Sequence, residues 1–253
     1  MKYLNCTAHL CLALVLAFST YSTVSASTVY QGLSDAPCPS AAEATTMDRA
    51  QSDWAWVCRY HSENLAARNT PVDIVYMGDS ITEFWQASAP ERFSSSVIDR
   101  GISGQTSPQM VLRFQQDVVS LKPRLVHILA GTNDVAANSG PESFADVIAN
   151  IDTMVVVART NGITPILGTV PPSAVFWWRK DFDPRPDIAR LNTLIRAYAE
   201  AHNVLLIDYH RALRNAEDGL GPEYADDGVH PNRAGYRVME ATLDRGLATL
   251  PPH

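Results

Sequence analysis

Five short apolar runs punctuate the chain: "VDIVYMG" (72–78), "SSVID" (95–99), "RLVHILA" (124–130), "ITPILGTV" (163–170) and "VLLIDYH" (204–210). Each has the length of a strand. Runs such as "LVHILA" and "VLLI" are apolar almost without a break, as expected of strands buried on both faces. Between them lie longer stretches with helical spacing. "ITEFWQA" (81–87) begins a short helix, and "SPQMVLRFQQDVVSL" (107–121) predicts a helix with Ser107 as N-cap and Pro108 at the first helical position. "GPESFADVIANIDTMVVVARTNG" (140–162) predicts a helix with Pro141 near its start and Gly162 past its end. "PDIARLNTLIRAYAEAH" (186–202) places Ile188, Leu191, Ile195 and Tyr198 on one face, and "NRAGYRVMEATLDRGLATL" (232–250) closes the chain as a helix capped by Asn232. A further helix is predicted over 47–68. Strands alternating with helices call for an α/β fold, a parallel sheet covered on both faces.

At the N-terminus the pattern changes. Lys2 precedes an apolar run over 10–18, too short to span a bilayer, and the small residues around Val24 and Ala26 suit cleavage after Ala26. Residues 1–26 are expected to be a signal peptide and 27–253 a single domain, secreted or periplasmic, with no stable membrane insertion once the signal is removed. Of the four cysteines, Cys38 and Cys58 would remain. In an exported chain they are expected to form a disulfide tying the leader to the first helix, with two buried free thiols as the alternative. The formal net charge of -7 and the lack of a Lys/Arg-rich block argue against nucleic-acid binding. No C-x-x-C or H-E-x-x-H spacing points to zinc.

In open parallel sheets, ligands bind beyond the carboxyl ends of the strands. In strand order, those ends carry Gly78-Asp79-Ser80, "GISGQTS" (101–107), "GTND" (131–134) and "VPP" (170–172), and "ADDGVHPN" (225–232) follows the last strand and a short helix. A serine hydroxyl becomes nucleophilic when a base can take its proton. His230 suits that role, because imidazole exchanges protons near neutrality. Asp227, three residues earlier, can orient its ring, and does so more readily than Asp226. Attack on an acyl carbon creates an oxyanion, for which the backbone N–H groups of Ser80 and Gly104 and the amide of Asn133 are candidate donors. Asp79 and Asp134 read as carboxylates that hold turns, and His127 as a core histidine. Trp177 and Trp178 lie in the long irregular segment 171–186, where they can equally be packing residues or substrate contacts.

The blocks "GDSIT", "GISGQTS", "GTND" and "DGVHP", in this order, resemble those of the SGNH (GDSL-type) hydrolase superfamily, over about 72–248 of the chain. The resemblance implies a three-layer, flavodoxin-like sandwich on a five-stranded parallel sheet of order 2-1-3-4-5. It implies a serine esterase without metal or organic cofactor, with Ser80 as nucleophile, His230 as base, Asp227 as its partner, and Ser80, Gly104 and Asn133 around the oxyanion. Asp99 departs from the pattern, since relatives often carry Asn there. The mix of aromatic and cationic groups in "FWWRK" (176–180) favours a small-molecule or glycan ester such as an acetylated sugar over a lipid ester. A nucleotide binder or a non-catalytic glycan-binding protein would leave the Asp-x-x-His unexplained or idle. G-x-S-x-G is absent, which disfavours the α/β-hydrolase elbow.

Overall fold

The computed structural model describes residues 38, 39, 48 and 53–251; the segment 1–26 lies outside them. Five strands, β1 (Ile74–Gly78), β2 (Val97–Gly101), β3 (Leu125–Leu129), β4 (Thr164–Gly168) and β5 (Leu205–Ile207), form one all-parallel sheet of order β2-β1-β3-β4-β5. The strand pleat sorts the side chains into two cores. Val75, Met77, Val126, Ile128 and Leu167 face one; Ile74, Tyr76, Leu125, Leu129 and Ile166 face the other.

The helices fill both faces. A short α1 (His61–Ala67) precedes the sheet, and α2 (Ser80–Ser88) follows β1. The first core is covered by α3 (Ser107–Asp117), α5 (Phe144–Thr160) and α6 (Arg185–Ala201), which contribute Met110, Phe114, Ile151, Met154, Ile188, Leu191 and Ile195. The second is covered by α2 and α8 (Arg233–Leu247), through Ile81, Trp85, Tyr236, Met239 and Leu243. Single turns, α4 (Thr132–Val135) and α7 (Tyr209–Leu213), sit at the carboxyl ends of β3 and β5. This is the three-layer sandwich, and it sets β1, with Ser80 just beyond its end, between β2 and β3.

Local chemistry moves several boundaries. The last strand stops at Ile207 because Asp208 caps α7, accepting from the Arg211 N–H at 3.1 Å. Thr106, not Ser107, is the N-cap of α3: the Ser107 hydroxyl is committed to Asp134, and the Gln109 side chain accepts from the Thr106 N–H at 3.0 Å. The helix predicted from Gly140 begins at Phe144, capped by Ser143, whose Oγ accepts from the Asp146 N–H at 3.1 Å. Of the helix predicted over 47–68, only His61–Ala67 is helical among the described residues; ahead of it Asp53 gathers the N–H groups of Val57 and Cys58 at 2.7 and 3.0 Å into turns. Cys38 and Cys58 are joined by a disulfide, with Cα atoms 5.4 Å apart.

Candidate active site

β1 delivers its chain directly into α2. Asp79 is the N-cap, its Oδ1 accepting from the Ile81 N–H at 2.9 Å, so Ser80 begins the helix at the sheet's edge. Beside this turn runs the end of β2. A Cβ on Gly101 would stand 2.1 Å from the Glu83 nitrogen and 2.7 Å from the Asp79 carbonyl, so a glycine is needed where the two backbones meet.

The Ser80 Oγ lies 2.9 Å from His230 Nε2, and His230 Nδ1 lies 2.6 Å from Asp227 Oδ2. A carboxylate only accepts, so the ring proton is on Nδ1 and Nε2 is left to accept from the serine. Asp227 Oδ1 takes the backbone N–H groups of Val229 and His230 at 2.9 and 2.8 Å, so one carboxylate shapes the turn and aims the ring. Burial works to raise the Asp227 carboxyl, but the hydrogen bonds from His230 and Val229 outweigh it and hold its pKa below the ordinary value. The turn is buttressed by Ser173, whose Oγ donates to the Gly228 carbonyl at 2.9 Å. Phe84, one helical turn beyond Ser80, packs on the imidazole with ring centroids 5.1 Å apart.

The groups expected to donate to an oxyanion follow the ends of the neighbouring strands β1, β2 and β3. Gly104 is exposed with φ +78°, a backbone conformation that glycine adopts without strain, and a Cβ there would meet nothing within 4 Å. Among the described residues, neither the Ser80 nor the Gly104 backbone N–H has a protein partner. The Glu83 carboxylate fixes the glycine loop by accepting from the Ser103 N–H at 2.8 Å. Asn133 is 4% exposed, and its Nδ2 donates to Asp79 Oδ2 and the Gln105 carbonyl, both at 3.1 Å. Burial pushes the Asp79 carboxyl up to about 7. Asp134 holds the turn, as its Oδ1 accepts from the Ser107 N–H at 2.9 Å.

Other residues from the sequence are placed as follows. Trp177 is 57% exposed, whereas Trp178 is half-buried, stacked on Phe176 with centroids 4.9 Å apart. His127 is fully buried, its Nε2 2.9 Å from the Tyr209 hydroxyl and its Nδ1 unpaired; burial and the nearby Arg92 depress it to about 3, so it stays neutral. Asp99 is buried with only Oδ1 in use, accepting from the Gly101 N–H at 2.6 Å. Among the described residues no group of three or more His, Cys, Asp or Glu side chains is placed to hold a metal ion, and no helix is long and apolar enough to cross a membrane.

A buried supporting residue, Arg113, was missed in the sequence. Arg113 on α3 is fully buried and donates to the Gly78 carbonyl (2.9 Å), the Arg100 carbonyl (2.8 Å), Gln105 Oε1 (2.5 Å) and Asp117 (2.9 Å). It thereby clamps the ends of β1 and β2 to the glycine loop. Its signal was a charge pair, Arg113 and Asp117, on the face of the helix that carries Met110 and Phe114.

The profile of the GDSL-like lipase/acylhydrolase family matches residues 76–238, from β1 into α8. The chain is 35% identical over 185 residues to the lipoprotein YqeF of Bacillus subtilis (strain 168), covering 62% of this chain and 75% of that one. It is 26% identical over 167 residues to an acetylxylan esterase of Geobacillus stearothermophilus, covering 64% and 76%. Among solved structures, a GDSL-like lipase from Bacteroides thetaiotaomicron VPI-5482 superposes with a TM-score of 0.74 at 41% identity, over 78% of this chain and 98% of that one. The chain belongs to the GDSL-like lipase/acylhydrolase family, within the SGNH superfamily.

Proposed function

We propose that the protein is an exported serine esterase that hydrolyses carboxylic esters by acyl transfer to Ser80, with acetylated carbohydrate as the substrate class. The observation that carries this reading is the hydrogen-bonded line from Ser80 Oγ through both ring nitrogens of His230 to Asp227, 2.9 and 2.6 Å. His230 Nε2 takes the serine proton as Oγ bonds to the acyl carbon. The negative charge formed on the carbonyl oxygen falls to the unpaired N–H groups of Ser80 and Gly104, with Asn133 Nδ2 sharing the hydrogen that it donates to the Gln105 carbonyl in the free site, N···O 3.1 Å. The imidazolium, stabilised by Asp227, then protonates the leaving alkoxide. Water, deprotonated by the same nitrogen, releases the acid and restores Ser80.

The acetylxylan esterase among its relatives supports a carbohydrate ester, as does the exposed Trp177 indole on a segment whose neighbours hold the Gly228 carbonyl and approach Asn138 beside Asn133. Trp177 is read as the platform on which a sugar ring rests. The apolar N-terminal segment, the Cys38–Cys58 disulfide and the lipoprotein relative support export, into the periplasm or beyond the cell.

The test is a hydrolysis panel of acetylated sugars against lysophospholipid and 4-nitrophenyl esters of increasing acyl length, run on wild type and Ser80→Ala. Acetyl esters of sugars are expected to turn over fastest, and Ser80→Ala to lose on the order of 10⁶ in kcat while remaining folded. A folded Ser80→Ala protein with undiminished turnover refutes the mechanism. Preference for long-chain lipid esters refutes the substrate class, and a wild type without any turnover would make the protein a glycan-binding relative.

A further inference from the structure

The Asn133 amide is held from behind by a directional chain. Asn138 Nδ2 donates to Asn133 Oδ1 at 2.6 Å, and Asn138 Oδ1 accepts from Trp178 Nε1 at 3.0 Å. Ala137, in the left-handed region at φ 54°, turns the chain back so that the Asn138 N–H also donates to the Asn133 carbonyl at 3.0 Å. The segment bearing Trp178 grips the same turn a second time, through Arg179 Nη1 donating to the Ala136 carbonyl at 2.9 Å.

The indole sets the polarity of this chain. Trp178 can only donate, so Asn138 must present its oxygen to it and its NH₂ to Asn133. Asn133 must then accept with Oδ1 and turn Nδ2 toward Asp79 and the Gln105 carbonyl. At that far end the Gln105 carbonyl can only accept, so both termini demand the same orientation. A flipped Asn133 amide would set oxygen against the Gln105 carbonyl and NH₂ against NH₂ at Asn138. Successive donors in such a chain also polarise one another and strengthen the last N–H.

We propose that Asn138 and Trp178 are positioning residues for the oxyanion amide: they lock Asn133 in its donating orientation and make the 171–186 segment part of transition-state stabilisation. Trp178 is thus assigned to Asn133 and Trp177 to the substrate. The inference rests on Asn133 being an oxyanion donor. Asn138 is exposed and its side chain bonds to Asn133 and Trp178, so its truncation tests this chain directly.

The experiment measures kcat and KM for 4-nitrophenyl acetate in Trp178→Phe, Asn138→Ala, Asn138→Asp and Asn133→Ala, and in each of the first three combined with Asn133→Ala. Trp178→Phe keeps an aromatic ring against Phe176 and removes the N–H together with part of the indole; it should lower kcat about three- to tenfold with KM unchanged. Asn138→Asp places an acceptor against Asn133 Oδ1 and should cost more than Asn138→Ala. In the Asn133→Ala background, itself down about 10²–10³-fold, all three should have no further effect. Equal fractional losses in both backgrounds, or losses confined to KM, overturn the inference while leaving the esterase reading intact. Full turnover by Asn133→Ala, or none by wild type, fails the reading on which it rests, and each is distinguishable from the other outcomes.

Discussion

Replacing Asp99 with Asn removes a carboxylate from a place that can use only half of it. The side chain is 4% exposed; Oδ1 accepts from the Gly101 N–H at 2.6 Å, and Oδ2 is buried without a partner. Burial first, and the Glu83 charge further, raise its pKa from 3.8 to about 7, against the pull of the Gly101 N–H and, less, of Arg100 and Arg113. A folded-state pKa above the unfolded one means that the folded state holds the proton longer. The carboxyl therefore destabilises the fold progressively as pH climbs from about 4 through 7, and the full cost, about 4 kcal/mol, stands only above that window.

Asn is isosteric, keeps the acceptor for Gly101 and never ionises. Its gain over wild type should be larger by about 3 kcal/mol at about pH 8.5 than at about pH 4.5. An unpaired Asn NH₂ adds a penalty of about 1–3 kcal/mol, but equally at both pH values, so only the difference is diagnostic. His127 acts with the opposite sign: its pKa, depressed to about 3, supplies stability that is lost as pH falls below about 6.5 toward 3. The wild-type profile thus mixes the two effects, whereas the variant-minus-wild-type difference cancels His127. The assay is urea unfolding followed by tryptophan fluorescence at the two pH values. A difference that does not change with pH, or one that shrinks at the higher pH, refutes the assignment of a raised carboxyl to Asp99.

Two further outcomes are expected. Converting both Cys38 and Cys58 to Ser should lower unfolding stability by about 3 kcal/mol for a sequence separation of 20, and a loss below about 1 kcal/mol in denaturant melts would show that the bridge constrains nothing. Trp177→Ala should lower kcat/KM for an acetylated oligosaccharide about tenfold relative to 4-nitrophenyl acetate with stability within about 0.5 kcal/mol of wild type; an unchanged selectivity ratio ends the platform role.

The sheet was legible in the sequence because β1, β3 and β4 are short, mostly apolar runs of strand length, set between longer helical patterns. The meeting of Ser80, His230 and Asp227 was legible because Ser80 stands at a strand end and Asp227 precedes His230 by a short fixed spacing, where a few residues determine the geometry. The boundaries that shifted, at Ser107 and Asp208, turned on which of two neighbouring polar side chains serves as cap, and tertiary partners decided that. Arg113 and Asp117 were hidden because an i,i+4 ion pair on an amphipathic helix reads as a solvated face, yet here it is sealed between α3 and the ends of β1 and β2. The contact between Asn138 and Trp178 was hidden for another reason. They are 40 positions apart, and nothing local in either segment shows that an indole N–H and an amide will meet.

Asp79 and Asp99 then present a contrast that burial alone does not explain. Both carboxyls are pushed up to about 7, and both therefore weaken the folded state at neutral pH. Asp99 makes one side-chain bond, which Asn can make as well. Asp79 makes two, to the Ile81 N–H through Oδ1 and to Asn133 Nδ2 through Oδ2, and both partners are donors. An Asn at this position has a single oxygen: it can cap α2 or accept from Asn133, and its NH₂ would confront the other donor. The chain that begins at the Trp178 N–H and runs through Asn138 and Asn133 needs a terminus that only accepts, and an ionised carboxylate is the side chain that meets this need while also capping the helix that carries Ser80. Protonation of Asp79 would recreate the donor conflict that Asp79→Asn builds in. The buried charge at Asp79 is thus tied to the orientation of the Asn133 amide, and the one at Asp99 is not.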